Sequence, residues 1–555
     1  MAWWSFPALA FSQMQPAETE DAASRYQIVV SKWDVAEIAL TSERHYANPY
    51  LNVEVNSVFS HAEKGRIHVR GFWDGGKAFK VRFTPPNSGI WTFSISSIPL
   101  DPGLVRKGTV LVGNASEDHR GFLRRDDRYT RSFVFDDGTR YLMVGQTYYS
   151  IIRKAWDDPG WFESIENSTR YGFNKFRILA WPWNGKGSLP RPSPFFDNDH
   201  DRINVAYFQK LDDIVERIRS KKAIVDLILW KDHPEEAHGT IDQDFAFVEY
   251  LISRYAAYPN VIWTLANEWE YSGYGPGKEW YWEKMGQYVR AADPWFADAE
   301  RLRPLSIHQQ TYHSFKWSSS NWPVHAIIQV GVWNGNHQPP RFANGDEWGN
   351  YGIVQNFPLG IPVVNDEFGY FGQSAAIDGI ATVIDRGHLR LAMWGIYTAG
   401  GYGSLGDATG GQSLLGRAKS FYRTVRGWRE QPVLRPWLTG AWHYIPAYED
   451  VKILVDFFTT SGISYWKMES RNDLVRSGGR VYVLADAGHE YVVYSAIGAP
   501  FQLDLPEEDW TFYWLDPSSG DRTKSGIIRG GKADPWVPPF SGDAVLHISK
   551  PRSKS

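Results

Sequence analysis

Val261-Ile262-Trp263-Thr264-Leu265-Ala266-Asn267-Glu268 is the stretch that decides the fold. A short apolar, partly β-branched run that stops at an amide and a carboxylate is typical of a buried parallel strand with polar groups at its C-terminal end. Barrel enzymes keep their reactive groups at such strand ends. The stretch therefore predicts a barrel strand that ends in two candidate site residues, Asn267 and Glu268.

A second stretch repeats this pattern further along the chain. Ile361-Pro362-Val363-Val364-Asn365-Asp366-Glu367 is again an apolar run that ends in polar residues, and Glu367 lies 99 residues after Glu268. That separation corresponds to about three βα units of roughly 30 residues each in a barrel of about 250 residues. We therefore expect the two glutamates to close strands four and seven, whose C-terminal ends face each other across the barrel mouth.

Strands alternate with amphipathic helices through the middle of the chain, which predicts an α/β fold with a (β/α)8 TIM barrel. Helices are predicted over 205–220 and 245–255. Gly401-Tyr402-Gly403-Ser404-Leu405-Gly406 matches a dinucleotide-binding pattern but ends the series instead of opening a βαβ unit, so we expect a loop after strand eight. The eight predicted strands are 141–147, 174–180, 223–229, 261–266, 305–309, 327–332, 362–366 and 391–397.

Short alternating runs separated by turn residues flank the barrel on both sides, which predicts two antiparallel β-sandwiches. Beyond a predicted helix around 413–426, the C-terminal strands are predicted at 452–457, 481–484, 491–494 and 544–548. We expect an N-terminal lead over 1–24, an N-terminal β-sandwich over 25–115, the barrel over 116–435 and a C-terminal β-sandwich over 436–555.

Composition excludes several classes of function. The 555 residues include no cysteine, which excludes disulfides, thiolate metal sites and a cysteine nucleophile. The net charge is −4 and no basic stripe is present, so we expect no nucleic-acid partner. No apolar run is long enough for a membrane span, and the N-terminus lacks the basic region of a secretory signal, which favours a cytoplasmic location. The sequence indicates no metal or organic cofactor and does not reveal whether the chain forms a homo-oligomer.

Two glutamates at facing strand ends match the requirements of glycosidic bond cleavage. One carboxyl must protonate the leaving oxygen, and the other must be ionised to attack the anomeric carbon or to activate water. This predicts a glycoside hydrolase with a carbohydrate substrate. Either glutamate alone also fits an ordinary ion pair, and a non-catalytic carbohydrate-binding barrel is the alternative. A carboxyl separation of about 5–5.5 Å would indicate a retaining enzyme and one of roughly 6.5–9.5 Å an inverting enzyme.

Further polar and aromatic residues fall at or near predicted strand ends. Arg177 on strand two could hydrogen-bond the nucleophile and keep it ionised. Aromatic rings at strand ends favour sugar stacking, although any one Trp can equally pack in a core; the candidates are Trp181, Trp183 and Trp394. Loops rich in Trp and Tyr after strands two, four and six would narrow the mouth and favour exo action. The candidate hydroxyl ligands are Asn267, Asp232, His233, His308 and Trp333.

Three motifs together resemble the barrels of clan A glycoside hydrolases, and more narrowly the apiosidase-like family. They are Gly172-Phe173-Asn174-Lys175-Phe176-Arg177, Trp263-Thr264-Leu265-Ala266-Asn267-Glu268 and Asn365-Asp366-Glu367-Phe368-Gly369. Near the N-terminus, Gly71-Phe72-Trp73-Asp74-Gly75 and Val81-Arg82-Phe83-Thr84-Pro85 resemble the domain of unknown function that precedes such barrels, and a β-sandwich of collagen-binding type closes related chains.

The resemblance implies roles for both glutamates. Glu268 would be the general acid/base and Glu367 the nucleophile of a retaining glycosidase that acts on oligosaccharides or glycosides of plant or microbial polysaccharides. Members of the family do not all have Asn-Glu at the fourth strand, so the resemblance implies the chemistry of the clan and not apiose as the sugar.

Overall fold

The computed structural model describes residues 26–181, 192–231, 238–296, 302–310, 314–331, 342, 344–371, 374–377, 380–407, 446–531 and 534–551. The described chain begins with two antiparallel-rich sheets that pack face to face. One has the strand order β1-β8-β7-β3-β4 and the other β2-β6-β5. Their strands are β1 (Tyr26–Ser31), β2 (Ala36–Thr41), β3 (Glu54–His61), β4 (Gly65–Arg70), β5 (Phe72–Trp73), β6 (Ala78–Phe83), β7 (Gly89–Ile98) and β8 (Arg106–Gly113).

Alternation explains how this sandwich forms. Along β2 buried residues alternate with exposed ones, so Ile38 and Leu40 face the core while the residues between them face solvent. Phe59 of β3 stacks on Phe83 of β6 across the two sheets, with ring centroids 3.9 Å apart. A small antiparallel sheet follows, made of β9 (Leu123–Arg125), β10 (Phe133–Phe135) and β11 (Arg140–Tyr141).

Eight parallel strands form the central sheet, in the order β16-β15-β14-β13-β12-β21-β18-β17. The two outer strands approach each other where the amide of Val324, two residues before β17, donates to the carbonyl of Leu305 in β16 at 2.9 Å, so the sheet curves into a barrel. The (β/α)8 prediction is confirmed. The strands are β12 (Val144–Thr147), β13 (Lys175–Leu179), β14 (Ile224–Trp230), β15 (Val261–Ala266), β16 (Leu305–Ser306), β17 (Ala326–Ile328), β18 (Val363–Asn365) and β21 (Tyr402–Asp407).

Helices surround the barrel, with the hairpin β19 (Ser374–Ile377) and β20 (Ile380–Val383) between strands seven and eight. In α4, Leu211, Ile214 and Ile218 repeat at helical spacing and are fully buried, as predicted. The predicted helix at 413–426 lies outside the described residues. The described helices are α1 (Pro49–Asn52), α2 (Ile151–Asp157), α3 (Phe162–Arg170), α4 (Val205–Ser220), α5 (Ile241–Tyr255), α6 (Glu279–Ala292), α7 (Gly345–Asn356), α8 (Arg386–Tyr397) and α9 (Ala447–Thr460).

The eighth barrel strand differs from the prediction. Residues 391–397 lie in helix α8, and the strand is β21, which begins at Tyr402 inside the glycine-rich segment predicted as a loop. A continuous apolar run of seven residues fits a buried helix as well as a buried strand, so periodicity could not distinguish them. In β21, Gly403 and Gly406 leave room for the Phe368 and Tyr370 rings, which a Cβ would meet at 2.9 and 2.4 Å.

A six-stranded antiparallel-rich sheet follows the barrel, in the order β22-β24-β25-β29-β27-β28, with a two-stranded sheet β23-β26 beside it. One face of the large sheet forms its own core with Val483 and Trp510, and the other face, with Tyr482 and Tyr494, packs on the barrel helices. The strands are β22 (Glu469–Ser470), β23 (Val475–Ser477), β24 (Val481–Asp486), β25 (Glu490–Ser495), β26 (Gln502–Leu503), β27 (Asp509–Leu515), β28 (Arg522–Arg529) and β29 (Ala544–Ser549).

Residues 452–457, predicted as the first strand of this C-terminal part, lie in helix α9 instead. Leu454, Phe457 and Phe458 are buried at helical spacing, and the exposed i,i+4 pair of Lys452 and Asp456 fits the same helix; six residues were too short to distinguish this pattern from strand alternation. Helix α9 packs beside α8, between the barrel and the six-stranded sheet. None of the described helices has the length and apolar character needed to cross a membrane.

Buried ion pairs join the flanking sheets to the barrel. Arg82 of β6 donates to Asp212 of α4 at 2.7 Å, and the same carboxylate also accepts from Arg254 of α5 at 2.7 Å. At the other side, Arg480 and the Tyr482 hydroxyl both donate to buried Asp346 of α7. These contacts fix the sheets against the barrel helices.

Candidate active site

Strand alternation directs two basic side chains into the barrel. Lys175 and Arg177 are two residues apart on β13, so they point to the same face, and both are fully buried. Glu367 follows β18 directly after Asp366, and it is 2% exposed. Arg177 and Glu367 therefore meet at the C-terminal end of the barrel, where TIM-barrel sites form.

The Glu367 carboxylate accepts hydrogen bonds from four side chains. Arg177 Nη1 donates to Oε1 at 2.9 Å, and the Tyr149 hydroxyl contacts the same oxygen. The Tyr370 hydroxyl donates to Oε2 at 2.6 Å and Gln329 Nε2 at 3.2 Å. These donors follow or belong to strands one, two, six and seven, so four strand ends converge on one carboxylate and stabilise its negative charge.

Arg177 also connects the ends of strands four and seven. Its Nη2 donates to Asn267 Oδ1 at 2.9 Å, while its Nη1 donates to Glu367. The Tyr149 hydroxyl lies 2.8 Å from the same Asn267 oxygen, and its single proton can serve only one of its two acceptors at a time. With Oδ1 facing these donors, the Asn267 amide nitrogen is directed away from Arg177.

A buried charged layer lies beneath this cluster. Lys175 Nζ contacts Asp366 and lies 3.2 Å from Asp226 Oδ2. Burial alone would raise the pKa of Asp366, but attraction by Lys175 and Arg177 holds it well below its usual range. Burial raises the pKa of Asp226, and the neighbouring charge of Asp366 adds to this shift. Ser404 of β21 donates to Asp366 at 2.6 Å, which ties strand eight to the same layer.

Glu268 has a different environment from Glu367. It is partly exposed, follows the last residue of β15 by two positions, and has a left-handed backbone with φ 45° and ψ 57°. Its amide donates to His308 Nδ1 at 3.2 Å. Burial and repulsion by Arg177 hold the pKa of His308 well below its usual value, so the imidazole is neutral.

The other predicted site residues have varied positions. Trp181 is 5% exposed and packs against Phe195 and His200, with ring centroids 5.2 and 5.4 Å away. His308 is fully buried beneath the Glu268 backbone, which is a poor position for a hydroxyl ligand. Four further candidates lie outside the described residues: Trp183, Asp232, His233 and Trp333.

Trp394 is not at the barrel mouth, contrary to the prediction. It lies on helix α8, fully buried, and its ring stacks on Tyr494 of the six-stranded sheet with centroids 5.7 Å apart. Phe457 and Phe458 of α9 complete its surroundings. The prediction was wrong because residues 391–397 form a helix and not the eighth strand. This helix lies on the outside of the barrel, so the Trp394 ring faces the C-terminal sheet.

The sequence patterns did not single out Tyr149, Gln329 and Tyr370. Tyr149 follows strand one by two residues, so the rule that polar strand ends form the site would have found it. Gln329 was hidden because the sixth strand was predicted to run past it to residue 332. Charged Lys175 and Asp226 inside otherwise apolar strands were a further signal of a polar barrel interior.

No group of three or more His, Asp or Glu side chains within the described part of the chain is arranged to hold a metal ion. Among the described residues the site presents two carboxyl groups: one carboxylate held by four donors, and a second, more exposed carboxyl at the end of the fourth strand.

Comparison with known families agrees with this geometry. The family model for apiosidase-like catalytic domains matches residues 127–431, which is more than half of the chain. The chain belongs to this apiosidase-like family. It is a glycoside hydrolase. A domain of unknown function, DUF5060, matches residues 29–98 of the N-terminal sandwich.

Two solved structures share the fold of this apiosidase-like chain. One, described as a candidate glycoside hydrolase from Bacteroides vulgatus, has a TM-score of 0.74 at 20% identity and covers 94% of this chain and 100% of its own. A glycoside hydrolase family 5 protein from Bacteroides vulgatus has a TM-score of 0.59 at 15% identity, with 78% and 94% covered. At these identities the likeness shows the fold alone. The comparison with curated proteins found no match.

Proposed function

We propose that this apiosidase-like chain hydrolyses glycosides by a retaining double displacement, with Glu367 as the nucleophile and Glu268 as the general acid/base. The observation that supports this most is the set of four donors around Glu367. A nucleophilic carboxylate must be ionised and must approach the anomeric carbon from a fixed direction, and donors on both oxygens meet both needs.

The second carboxyl suits the complementary task. Glu268 is partly exposed, whereas Glu367 is almost completely buried. Two carboxyl groups in different environments are what acid and nucleophile roles require. Asn267, beside it, has an amide nitrogen directed away from Arg177, which suits a hydrogen bond to a sugar hydroxyl.

The proposed reaction balances in two steps. A Glu367 oxygen bonds to the anomeric carbon as the glycosidic C–O bond breaks, and Glu268 gives its proton to the leaving oxygen. Water then attacks the anomeric carbon, the bond to Glu367 breaks, and Glu268 takes the proton from the water. The enzyme returns to its first state and the sugar leaves with its original anomeric configuration.

For the substrate we propose oligosaccharides or glycosides of plant or microbial polysaccharides, cleaved from a chain end. The support for exo action is the richness in Trp and Tyr of the loops after strands two, four and six, which would narrow the mouth into a pocket.

A panel of aryl glycosides tests the proposal, with hydrolysis measured for the wild type, Glu268→Gln and Glu367→Gln. We expect Glu367→Gln to remove nearly all activity, and Glu268→Gln to lower kcat/KM for phenyl glycosides by about 10²–10⁴-fold. Glu216→Gln, which changes an exposed surface ion pair with Arg219, is the control and retains activity. Full activity in both glutamate variants would refute the assignment. NMR of the first-formed product gives the stereochemistry, and an inverted anomer would refute the retaining mechanism.

A further inference from the structure

The backbone at Glu268 adopts a conformation that residues with a Cβ rarely adopt. Its φ of 45° and ψ of 57° lie in the left-handed region, where the Cβ approaches the following carbonyl oxygen. Such a conformation persists only where surrounding contacts enforce it, and it occurs often at functional sites. The contacts that enforce it should therefore determine where the Glu268 carboxyl points.

One residue supplies three of those contacts. His308 follows strand five, and its own amide donates to the Ala266 carbonyl at 3.0 Å, which continues the pairing of strands four and five. Its carbonyl accepts from the Trp269 amide at 3.2 Å, and its Nδ1 accepts from the Glu268 amide at 3.2 Å. His308 thus binds the chain before, at and after the left-handed residue.

We infer that His308 is a positioning residue for Glu268: its Nδ1 accepts the Glu268 amide and holds the left-handed turn that aims the carboxyl into the barrel mouth. This inference rests on the proposed function for the role of that carboxyl. The three hydrogen bonds of His308 with Ala266, Glu268 and Trp269, which we call the clamp, do not depend on that role. His308 acts through Glu268 and does not touch the substrate, because its side chain is fully buried.

The protonation state of the imidazole fits this role. Nδ1 accepts a hydrogen bond, so the proton of the neutral ring is on Nε2, which has no hydrogen-bond partner among the described residues. Burial and the Arg177 charge disfavour the imidazolium form by lowering the pKa of His308, so Nδ1 remains an acceptor. Mutation can test the contributions of the two ring nitrogens separately. Asn places its amide oxygen near the Nδ1 position, whereas Gln places its amide group near the Nε2 position.

The first experiment compares His308→Asn with His308→Gln by kinetics on the aryl glycosides that the wild type hydrolyses. General-acid assistance matters for a phenyl leaving group and little for 2,4-dinitrophenyl. Because a misplacement of about 1 Å can cost roughly 10²-fold, we expect His308→Gln to lose about that factor in kcat for phenyl glycosides. Its KM for phenyl glycosides and its kcat/KM for dinitrophenyl glycosides should change little, because kcat/KM reports the first step, which needs little acid assistance with this leaving group. His308→Asn should restore most of the loss.

The second experiment does not depend on activity. Hydrogen exchange, followed by mass spectrometry of peptides that cover residues 261–271, should be faster in His308→Gln than in the wild type and close to the wild-type rate in His308→Asn. His308→Ala, which lacks both nitrogens, should behave like His308→Gln. If Gln and Ala give unfolded protein while Asn folds, the acceptor at Nδ1 is again shown to be the required feature.

The outcomes separate this inference from the proposed function. Equal loss of activity or of folded structure in His308→Asn, His308→Gln and His308→Ala would contradict the positioning role of His308. A wild-type rate of hydrogen exchange over residues 261–271 in His308→Gln would contradict it as well. If Glu268→Gln shows the leaving-group dependence and His308→Gln does not, the inference fails and the proposed function stands. If Glu268→Gln is fully active while exchange follows the predicted order, the clamp stands and the proposed role of Glu268 fails.

Discussion

The guanidinium of Arg177 lies 2.9 Å from the carboxylate of Glu367, and both side chains are almost completely buried. The same guanidinium lies 3.4 Å from the carboxylate of Asp366 and donates to Asn267 at the end of strand four. One fixed cation therefore orients the ends of strands four and seven, which carry the two candidate catalytic glutamates.

Removal of that cation should cost stability. Arg177→Met leaves the buried Glu367 carboxylate without its cation and leaves Asp366 with Lys175 as its buried cation, and we expect the free energy of unfolding to fall by about 3–5 kcal/mol. Urea denaturation measures this fall. Arg217→Met is the matched control, because Arg217 and Asp213 form an exposed pair that should contribute about 0–1 kcal/mol. Similar losses in the two variants would contradict the importance of the buried pair.

Loss of the tyrosine donors should reduce activity. Tyr149→Phe and Tyr370→Phe each remove a hydrogen bond to the Glu367 carboxylate, and a bond to a charged group contributes about 1.5–3 kcal/mol, or roughly 10–100-fold in rate. Steady-state kinetics on an aryl glycoside measures the effect. Tyr148→Phe serves as the control because its hydroxyl binds Ser168 instead, at 2.8 Å. Unchanged kcat/KM in both site variants would show that these hydroxyls do not support Glu367.

Glu270 should make stability depend on pH near neutrality. Burial raises its pKa to about 7 from an ordinary 4.5, against weaker opposing effects of the Gln310 amide and Lys316. Between these pH values the folded state keeps a proton that the unfolded state has released. The contribution of Glu270 to stability is therefore complete below about pH 4.5 and is lost as the pH rises to about 7.

Glu270→Gln should remove this dependence, so the variant gains stability relative to the wild type as the pH rises from 4 to 8, measured by thermal unfolding. Glu279→Gln should show the opposite trend in a lower pH range: between about pH 2 and 4.5 the variant loses stability relative to the wild type as the pH rises. A hydrogen bond from Lys316 lowers the pKa of Glu279 to about 2, so its contribution is present above 4.5 and is lost as the pH falls toward 2. The same pH trend in both variants would contradict the assignment.

Asp212 and Asp213 are neighbours in α4 with very different environments. Asp212 binds Arg82 and Arg254, whose side chains are 3% and 0% exposed, whereas Asp213 lies on the surface. Asp212→Asn should lower the free energy of unfolding by about 3–5 kcal/mol, because it leaves two buried guanidinium groups without this charge. Asp213→Asn should change it by less than about 1 kcal/mol. Equal effects in chemical denaturation would show that the N-terminal sandwich does not depend on this contact.

The sequence predicted the barrel and the placement of its polar strand ends because both follow from local patterns. A buried strand that stops at Asn267 and Glu268, and another that stops at Asp366 and Glu367, can be read without knowing how the strands pair. Arg177 was found because it lies on the second predicted strand near the barrel mouth, where a cation could hydrogen-bond the nucleophile.

The remaining features depend on tertiary packing. Trp394 lies in an apolar run without a clear period, and residues 452–457 are too few to show one. Both segments form helices that pack against the six-stranded sheet. Tyr149 and Gln329 reach Glu367 from strands one and six, and although their positions after strand ends can be read from the sequence, spacing along the chain does not encode which carboxylate they contact. The left-handed backbone of Glu268 likewise depends on His308, which is 40 residues away in the sequence.

The most direct test of the central claim is covalent trapping of the nucleophile. A 2-deoxy-2-fluoro glycoside with a dinitrophenyl leaving group, built on the sugar found in the aryl glycoside screen, should inactivate the enzyme and add the mass of one fluorosugar. Peptide mapping should place the label on Glu367. A label on a different carboxyl group, or turnover of the parent glycoside without any labelled protein, would contradict the account.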